Sequence, residues 1–178
     1  VIGSFFETIQ PTKAIAAFVG EKGSGKSSAL KRVGITFYGK DFDVMQVPEK
    51  PDDFDVAMQQ DKLVVLDNAD SRVAWLEDRL AVIATGGKVK KRKLYTDSST
   101  VELKPRCFVG ITSRDPHFRR DDVAERVLLF RVKRISSFIP ENEMTQDIIE
   151  HRNEILSDII LIIQKILKTL DSDICYKG

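Results

Sequence analysis

Short apolar runs recur along the chain, and segments with helical periodicity or polar turns separate them. Runs of this kind are typical of strands buried in a parallel sheet, and the intervening amphipathic segments are typical of helices that cover it. The pattern therefore predicts an α/β fold with a parallel central sheet. The predicted strands lie at 14–19, 44–47, 63–66, 107–112 and 127–130.

Helical periodicity is clearest in two segments. In Ser71–Thr85 apolar residues recur at helical spacing, and Ser71 is placed to cap the helix. From 141 to 170, isoleucines and leucines form a wide stripe, which predicts one long helix or two. Such a stripe packs against the parent domain or a neighbouring subunit. We interpret 135–178 as a helical lid or assembly extension on a core of residues 1–134.

A glycine-rich segment after the first strand fits the phosphate-binding loop pattern G-x-x-x-x-G-K-[ST] at every fixed position. The helix after it is expected to end near Val33 or Phe37, because Gly34 weakens it. In such loops Lys26 reaches the outer phosphates and the Ser27 hydroxyl coordinates Mg²⁺. A glycine-rich turn that fits by accident is the alternative, which the strand and helix on either side disfavour. The predicted ATP-binding residues are Gly20, Glu21, Lys22, Gly23, Ser24, Gly25, Lys26, Ser27 and Ser28.

A carboxylate ends the apolar strand at 63–66. Asp67 is predicted to emerge at the carboxyl end of the sheet, where nucleotides bind, and to hold Mg²⁺ through water as a Walker B aspartate does. A generic strand that ends in aspartate is the alternative. The next residue, Asn68, can orient a water but cannot accept its proton. Either Asp70 or another carboxylate such as Glu21 supplies the catalytic base, or hydrolysis is slow.

Positive charge is concentrated in one short segment after Gly86-Gly87. Strands at Leu94-Tyr95 and 101–103, on either side of a polar turn, predict a protruding hairpin within residues 88–104. The phosphates of DNA or RNA, with single-stranded DNA preferred, are the natural partner, and a solvated basic loop is the alternative. The predicted nucleic-acid contacts are Lys88, Lys90, Lys91, Arg92 and Lys93.

Composition narrows the possible functions. The 178 residues, 42% of them hydrophobic, suit one domain with an ample core. Since 28 Lys and Arg face 27 Asp and Glu, a nucleic-acid surface must be local. Cys107 and Cys175 lack metal-like spacing, which favours the reduced cytoplasm. We expect no signal sequence and no membrane span, and because the chain opens at Val1 we expect a domain cut from a longer protein.

Hydroxyl groups end the strand at 107–112. Thr112 or Ser113 is placed to sense a terminal phosphate or to position a water, and ordinary turn chemistry is the alternative. Arg126 follows a short helix with an acidic first turn and precedes the last core strand.

The order of these parts resembles that of AAA+ ATPases that carry a hairpin before their sensor 1 strand. The segment from Thr112 to Arg126 also resembles the ATPase segments of primase-helicase proteins from prophages and mobile elements. The likeness covers about residues 14–132. The residues that resemble superfamily 3 helicases of small DNA viruses are Leu66-Asp67-Asn68-Ala69, Trp75, Gly87, Arg92-Lys93, Ile111-Thr112-Ser113 and Glu125-Arg126-Val127.

This resemblance implies a three-layer P-loop core that assembles into a ring, usually a hexamer, with ATP and Mg²⁺ bound between subunits. Arg126 would reach the neighbour's terminal phosphate as an arginine finger, which can contribute about 10³ to 10⁵ in rate. A surface salt bridge with Asp122 is the alternative role, and Arg119 and Arg120 are substitutes. Two residues depart from the family pattern: Arg114 stands where sensor 1 usually has asparagine, and Asn68 stands where many ATPases have glutamate.

Three functions are compatible with the sequence. The preferred one is the AAA+ core of a DNA helicase or replication-initiation ATPase, in which hydrolysis moves basic hairpins along DNA. The second, which Asn68 favours, is a nucleotide-gated DNA-binding, assembly or loader protein with slow hydrolysis. A metabolic P-loop kinase is disfavoured, because no small-substrate lid is evident.

Overall fold

The computed structural model describes residues 12–69, 73–92, 100–116, 118, 120–134, 136 and 139–175. These residues form seven strands and five helices. In chain order the elements are β1 (Ile15–Val19), α1 (Lys26–Tyr38), β2 (Met45–Gln46), α2 (Pro51–Gln60), β3 (Leu63–Asp67), α3 (Ala74–Thr85), β4 (Val89–Arg92), β5 (Thr100–Leu103), β6 (Phe108–Ser113), α4 (Asp121–Ala124), β7 (Val127–Arg131) and α5 (Glu141–Cys175).

Five of the strands form one parallel sheet in the order β2-β3-β6-β1-β7. The predicted α/β fold with a parallel sheet is confirmed. Ala17 of β1 lies between Ile111 of β6 and Leu129 of β7. Because the strands run in one direction, β1, β3 and β6 end at the same edge of the sheet, which is where such sheets bind ligands.

Helices cover both faces of this sheet. On one face, Leu66 of β3 belongs to the same buried cluster as Phe54 of α2 and Leu80 of α3. On the other face α1 packs so closely that a Cβ atom added to Gly110 of β6 would lie 3.2 Å from the methyl groups of Leu30. Successive side chains of a strand point to opposite faces of the sheet, so a continuous apolar run supplies apolar side chains to both faces.

Helix α1 ends at Tyr38, next to Phe37, the later of its two expected ends. Gly34 was expected to weaken the helix, but its bare Cα makes room for a neighbour: a Cβ there would overlap the ring of Phe42. At the carboxyl end, Arg152 of α5 donates from Nε to the Thr36 carbonyl at 2.9 Å and from Nη2 to the Phe37 carbonyl at 3.2 Å. These bonds satisfy carbonyls that a helix end leaves unpaired, and they fasten α5 to α1.

The predicted hairpin is present, and its first described strand runs through the basic segment. β4 pairs with β5 in a separate antiparallel sheet, with Val89 opposite Leu103. The strand expected at Leu94-Tyr95 falls outside the described residues and stays a prediction. Consecutive lysines in a strand point to opposite sides, so the basic segment is divided between two faces.

Two further helix boundaries differ from expectation. α3 begins at Ala74 with Val73 at its N-cap, and the expected cap, Ser71, lies outside the described residues. The segment from 141 onward is one helix of 35 residues, and it extends beyond the predicted end at 170. Within the described part of the chain, no helix is long and apolar enough to cross a membrane.

Candidate functional site

Three segments meet at the carboxyl edge of the sheet, where β1, β3 and β6 end. The Gly20 N–H donates to the carbonyl of Ser113 at 3.3 Å, which joins the glycine-rich loop to β6. The Ser27 hydroxyl donates to Oδ1 of Asp67, and the Thr112 hydroxyl donates to the same oxygen at 2.6 Å. The structure thus brings the predicted phosphate loop, the predicted metal carboxylate and the polar end of β6 into one site.

The glycine-rich loop places the start of α1 at this edge. Gly25, the N-cap residue, has φ 82° and provides no side chain to cap the helix. The first N–H groups of a helix have no partner within it, so they favour an anion here. Of the predicted loop residues, Glu21, Lys22 and Gly23 form an exposed rim, Ser24 is buried and Ser28 lies in the first turn of α1.

The side chain of Lys26 lies across the loop. Its ammonium donates to the carbonyl oxygens of Gly20 and Glu21, each at 2.7 Å. Burial lowers the pKa of Lys26, the charge of Asp67 acts in the opposite direction, and the charge of Arg114 lowers it further. The Ser24 hydroxyl lies 3.4 Å from the same ammonium. The ammonium is therefore already at the loop, where it is held by neutral oxygen atoms that an anion can replace.

The carboxylate of Asp67 accepts hydrogen bonds at both oxygens. Besides the two hydroxyls on Oδ1, Gln46 Nε2 and Asn68 Nδ2 each lie 3.3 Å from Oδ2. Burial raises the pKa of Asp67, but the hydrogen bonds from Ser27, Thr112 and Gln46 outweigh it and leave the pKa below its ordinary value. All of these donors are uncharged, so the carboxylate keeps its negative charge and suits a cation.

Asn68 turns the chain sharply after β3. Its φ of 52° is left-handed, a conformation that asparagine tolerates better than most residues. Its N–H donates to Thr112 Oγ1 at 3.0 Å, and the Ala69 N–H donates to the Thr112 carbonyl at 2.8 Å. The amide beside Asp67 is thus fixed to β6. Asp70, one candidate base, lies outside the described residues.

The hydroxyls of Thr112 and Ser113 are engaged within the protein. Thr112 is fully buried, and its hydroxyl connects the Asn68 N–H with Asp67, so it orients the carboxylate. Ser113 Oγ accepts from the Asp115 N–H at 3.2 Å, which is the ordinary turn chemistry considered as the alternative. A contact between either hydroxyl and a phosphate stays a prediction.

The basic segment of the hairpin is divided as the strand direction requires. On the exposed side, Glu102 of β5 binds Lys88 at 2.5 Å and Lys90 at 3.6 Å. On the other side, the ammonium of Lys91 lies 2.7 Å from carboxylate oxygens of both Asp52 and Asp55.

Asp55 is the centre of a buried ion cluster. It is fully buried, and Arg79 of α3 donates to it from Nε at 2.8 Å and from Nη2 at 3.1 Å. Lys91 completes this cluster and so anchors the hairpin to α2. The sequence suggested that Lys91 forms one surface with Lys88 and Lys90. In the structure Lys91 lies on the opposite side of the hairpin from those two lysines. The Arg92 side chain and Lys93 lie outside the described residues.

A comparison with known protein families shows which family the chain belongs to. Residues 1–175 match the model of the actinomycete integrative conjugative element replication protein, AICE RepA. The chain belongs to this family. No curated protein matches it significantly.

Solved structures share the fold of this replication protein. Three apo structures of the NrS-1 C-terminal region align with TM-scores of 0.56, 0.53 and 0.53 at 15, 16 and 16% identity. They cover 85, 84 and 85% of this chain. The chain spans 37 to 38% of the length of those structures.

Arg126 of this replication protein lies far from the glycine-rich loop of its own chain. Its carbonyl accepts from the Ile15 N–H at 3.0 Å, which places it at the start of β1, at the opposite edge of the sheet. Its Nη1 donates to the Asp122 carbonyl at 2.8 Å, whereas Arg120 forms the ion pair with the Asp122 carboxylate. Contact with a nucleotide therefore requires a neighbouring subunit and stays a prediction; Arg119 lies outside the described residues.

The chemistry of the site fits Mg²⁺ bound together with phosphates. Ser27 and Asp67 are oxygen donors, and Mg²⁺ usually binds one or two protein oxygens, retains waters and takes the rest from phosphates. Among the described residues no three Asp, Glu, His or Cys side chains converge on a metal-sized site. Ser27 and Asp67 are thus the protein oxygens that would hold such a cation.

Gln46 was not identified from the sequence as a residue of the candidate site. β2 has only two residues, and its register with β3 places Gln46 directly beside Asp67. The one available signal was a polar residue near the end of the strand expected at 44–47.

Proposed function

We propose that this replication protein is the AAA+ P-loop core of an ATP-dependent DNA helicase or replication-initiation ATPase. The meeting of the Ser27 hydroxyl with Asp67, beside the loop that holds Lys26, carries the proposal. A hydroxyl, a carboxylate and an ammonium at an open helix N-terminus form the set that a nucleoside triphosphate with Mg²⁺ requires. Membership of a replication protein family supports DNA as the second substrate.

In this proposal the residues of the site exchange partners when nucleotide binds. Lys26 leaves the carbonyls of Gly20 and Glu21 for the outer phosphates, and the first N–H groups of α1 bind phosphate oxygens. Ser27 would hold Mg²⁺ through its hydroxyl, and Asp67 would hold it through water. The bound Mg²⁺ supplies positive charge that stabilises the phosphates during transfer.

DNA contact and assembly complete the proposal. Lys88 and Lys90 lie on the exposed side of the hairpin, where they are available to phosphates of single-stranded DNA. Arg126, at the sheet edge away from its own loop, serves the site of the next subunit in a ring, which we expect to be a hexamer. Hydrolysis then moves the hairpins relative to one another.

A nucleotide-gated DNA-binding, assembly or loader protein with slow hydrolysis is the second candidate. The observation that favours it is Asn68, an amide fixed next to Asp67 at the position where a carboxylate base would remove a proton from water.

Nucleotide binding and turnover by two variants test the proposal. Lys26→Ala should abolish ATP binding, because it removes the charge at the loop. Arg126→Ala should leave binding intact and lower turnover by about 10³-fold or more in the assembled protein. Lys40→Ala, an exposed lysine outside the site, is the matched control.

The unmodified chain separates the two candidates. Hydrolysis that single-stranded DNA stimulates supports the helicase or initiator, and stable binding with little turnover supports the loader. Absence of ATP binding would overturn both.

A further inference from the structure

Gln46 contacts the candidate site from a strand that the phosphate loop and Asp67 do not share. It lies beside Asp67 in the register of β2 and β3, and its Nε2 donates to Asp67 Oδ2 at 3.3 Å. The side chain is exposed, so it serves no packing role that would explain this orientation.

The contact fixes which way the Gln46 amide faces. A carboxylate that keeps its charge only accepts hydrogen bonds, so the amide nitrogen must face Asp67 and the carbonyl Oε1 must point away. Asn68 Nδ2 reaches the same carboxylate oxygen, also at 3.3 Å. Two amides therefore hold Oδ2, while two hydroxyls hold Oδ1.

Holding both oxygens matters because the carboxyl torsion of aspartate is soft. Rotation about the last bond of such a side chain has broad minima, so hydrogen bonds from neighbours decide where the oxygens point. When Ser27 turns to a metal ion, Oδ1 loses one of its donors. The Thr112 hydroxyl on Oδ1 and the two amides on Oδ2 then orient the carboxylate.

We propose that Gln46 is a positioning residue for Asp67, which aims the carboxylate at the water shell of Mg²⁺ bound with a nucleotide. This inference rests on the proposed function. Gln46 acts through Asp67 and makes no contact with the metal itself. Its loss should weaken the metal-dependent part of nucleotide binding and spare the part that Lys26 and the loop provide.

Binding of a non-hydrolysable ATP analogue, measured with Mg²⁺ and again in EDTA, tests this inference. Gln46→Ala should reduce the gain in affinity that Mg²⁺ provides by about 10-fold, the lower end of the effect of residues that orient metal ligands. Gln46→Met, of nearly the same length but without a donor or a charge, should lose about as much. Affinity in EDTA and the thermal midpoint should stay at the wild-type values.

Gln59→Ala is the matched control, because Gln59 is also a glutamine whose Nε2 donates to an oxygen, the Lys104 carbonyl at 3.2 Å, but away from the site. It should keep the full gain from Mg²⁺. A wild-type gain in Gln46→Ala would overturn the positioning role and leave the proposed function standing. Equal losses with Mg²⁺ and in EDTA would also overturn it, since they indicate a structural role. No gain in the wild type would overturn the proposed function itself.

Discussion

Two aspartates of this protein each accept several hydrogen bonds, but from donors of different charge. Asp67 accepts from Ser27, Thr112 and two amides, all of them uncharged. Asp55 accepts from Arg79 and Lys91, both of them cations. The negative charge of Asp67 at the edge of the sheet is not paired with a donor of positive charge. The negative charge of Asp55 in the interior is balanced by two cations.

The charge of the donors therefore distinguishes a candidate site from a structural cluster here. A carboxylate surrounded by hydroxyls and amides is oriented but still attracts a cation. A buried carboxylate between two cations has no such capacity, and its removal leaves uncompensated positive charge. Counting hydrogen bonds alone would have ranked Asp55 beside Asp67.

The largest expected effect is on stability at Asp55. Asp55→Asn should lower the free energy of unfolding by about 3 to 5 kcal/mol, because Arg79 and Lys91 would lose a buried partner. Urea denaturation measures this change. Asp52→Asn is the control, since Asp52 also contacts Lys91 but is exposed, and an exposed pair contributes about 1 kcal/mol or less. Similar losses in both variants would remove the contrast between buried and exposed acids.

The reverse pattern is expected at Asp67. Asp67→Asn should reduce the Mg²⁺-dependent gain in nucleotide affinity by about 10-fold or more, because an amide has no negative charge for the cation. The free energy of unfolding should change far less than in Asp55→Asn. Titration with a non-hydrolysable ATP analogue and urea denaturation provide the two measurements. A large loss of stability with an unchanged Mg²⁺ effect would show that Asp67 is the structural residue.

The smallest effect concerns the two sides of the hairpin. Replacing Lys88 and Lys90 by alanine should weaken binding of single-stranded DNA and reduce the slope of log K against log salt by about 1.4, since each phosphate contact contributes about 0.7. Lys91→Ala should leave that slope unchanged and lower stability instead. Fluorescence anisotropy over a range of salt concentrations measures the slopes. An equal change of slope in both variants would contradict the assignment of Lys88 and Lys90, but not Lys91, to the DNA-binding side of the hairpin.

Features written in contiguous residues were predictable from the sequence. The apolar runs gave the strands of the parallel sheet, and the order of strands placed the loop before Ser27 and the end of β3 at one edge. The position of Asp67 at that edge was predictable because the residue directly follows such a run. These inferences needed only local patterns and the shared direction of parallel strands.

Features that depend on pairing between distant segments could not be predicted from the sequence. Gln46 reaches Asp67 through the register of a two-residue strand, which is too short to leave a periodic signal. The basic segment was interpreted as one charged surface, although Val89 within it already indicated a strand with alternating sides. Which acids would meet Lys91 depended on how α2 and the hairpin pack, and no local pattern records that.

The bonds from Arg152 to the end of α1 also have a mechanical consequence. Helix α1 begins at the glycine-rich loop, and Arg152 of α5 binds its last carbonyls, so a tilt of α1 would move α5 with it. About 23 residues of α5 lie beyond Arg152, a length of about 35 Å. If α1 tilted by about 5°, a rigid arm of that length would move its far end by about 3 Å.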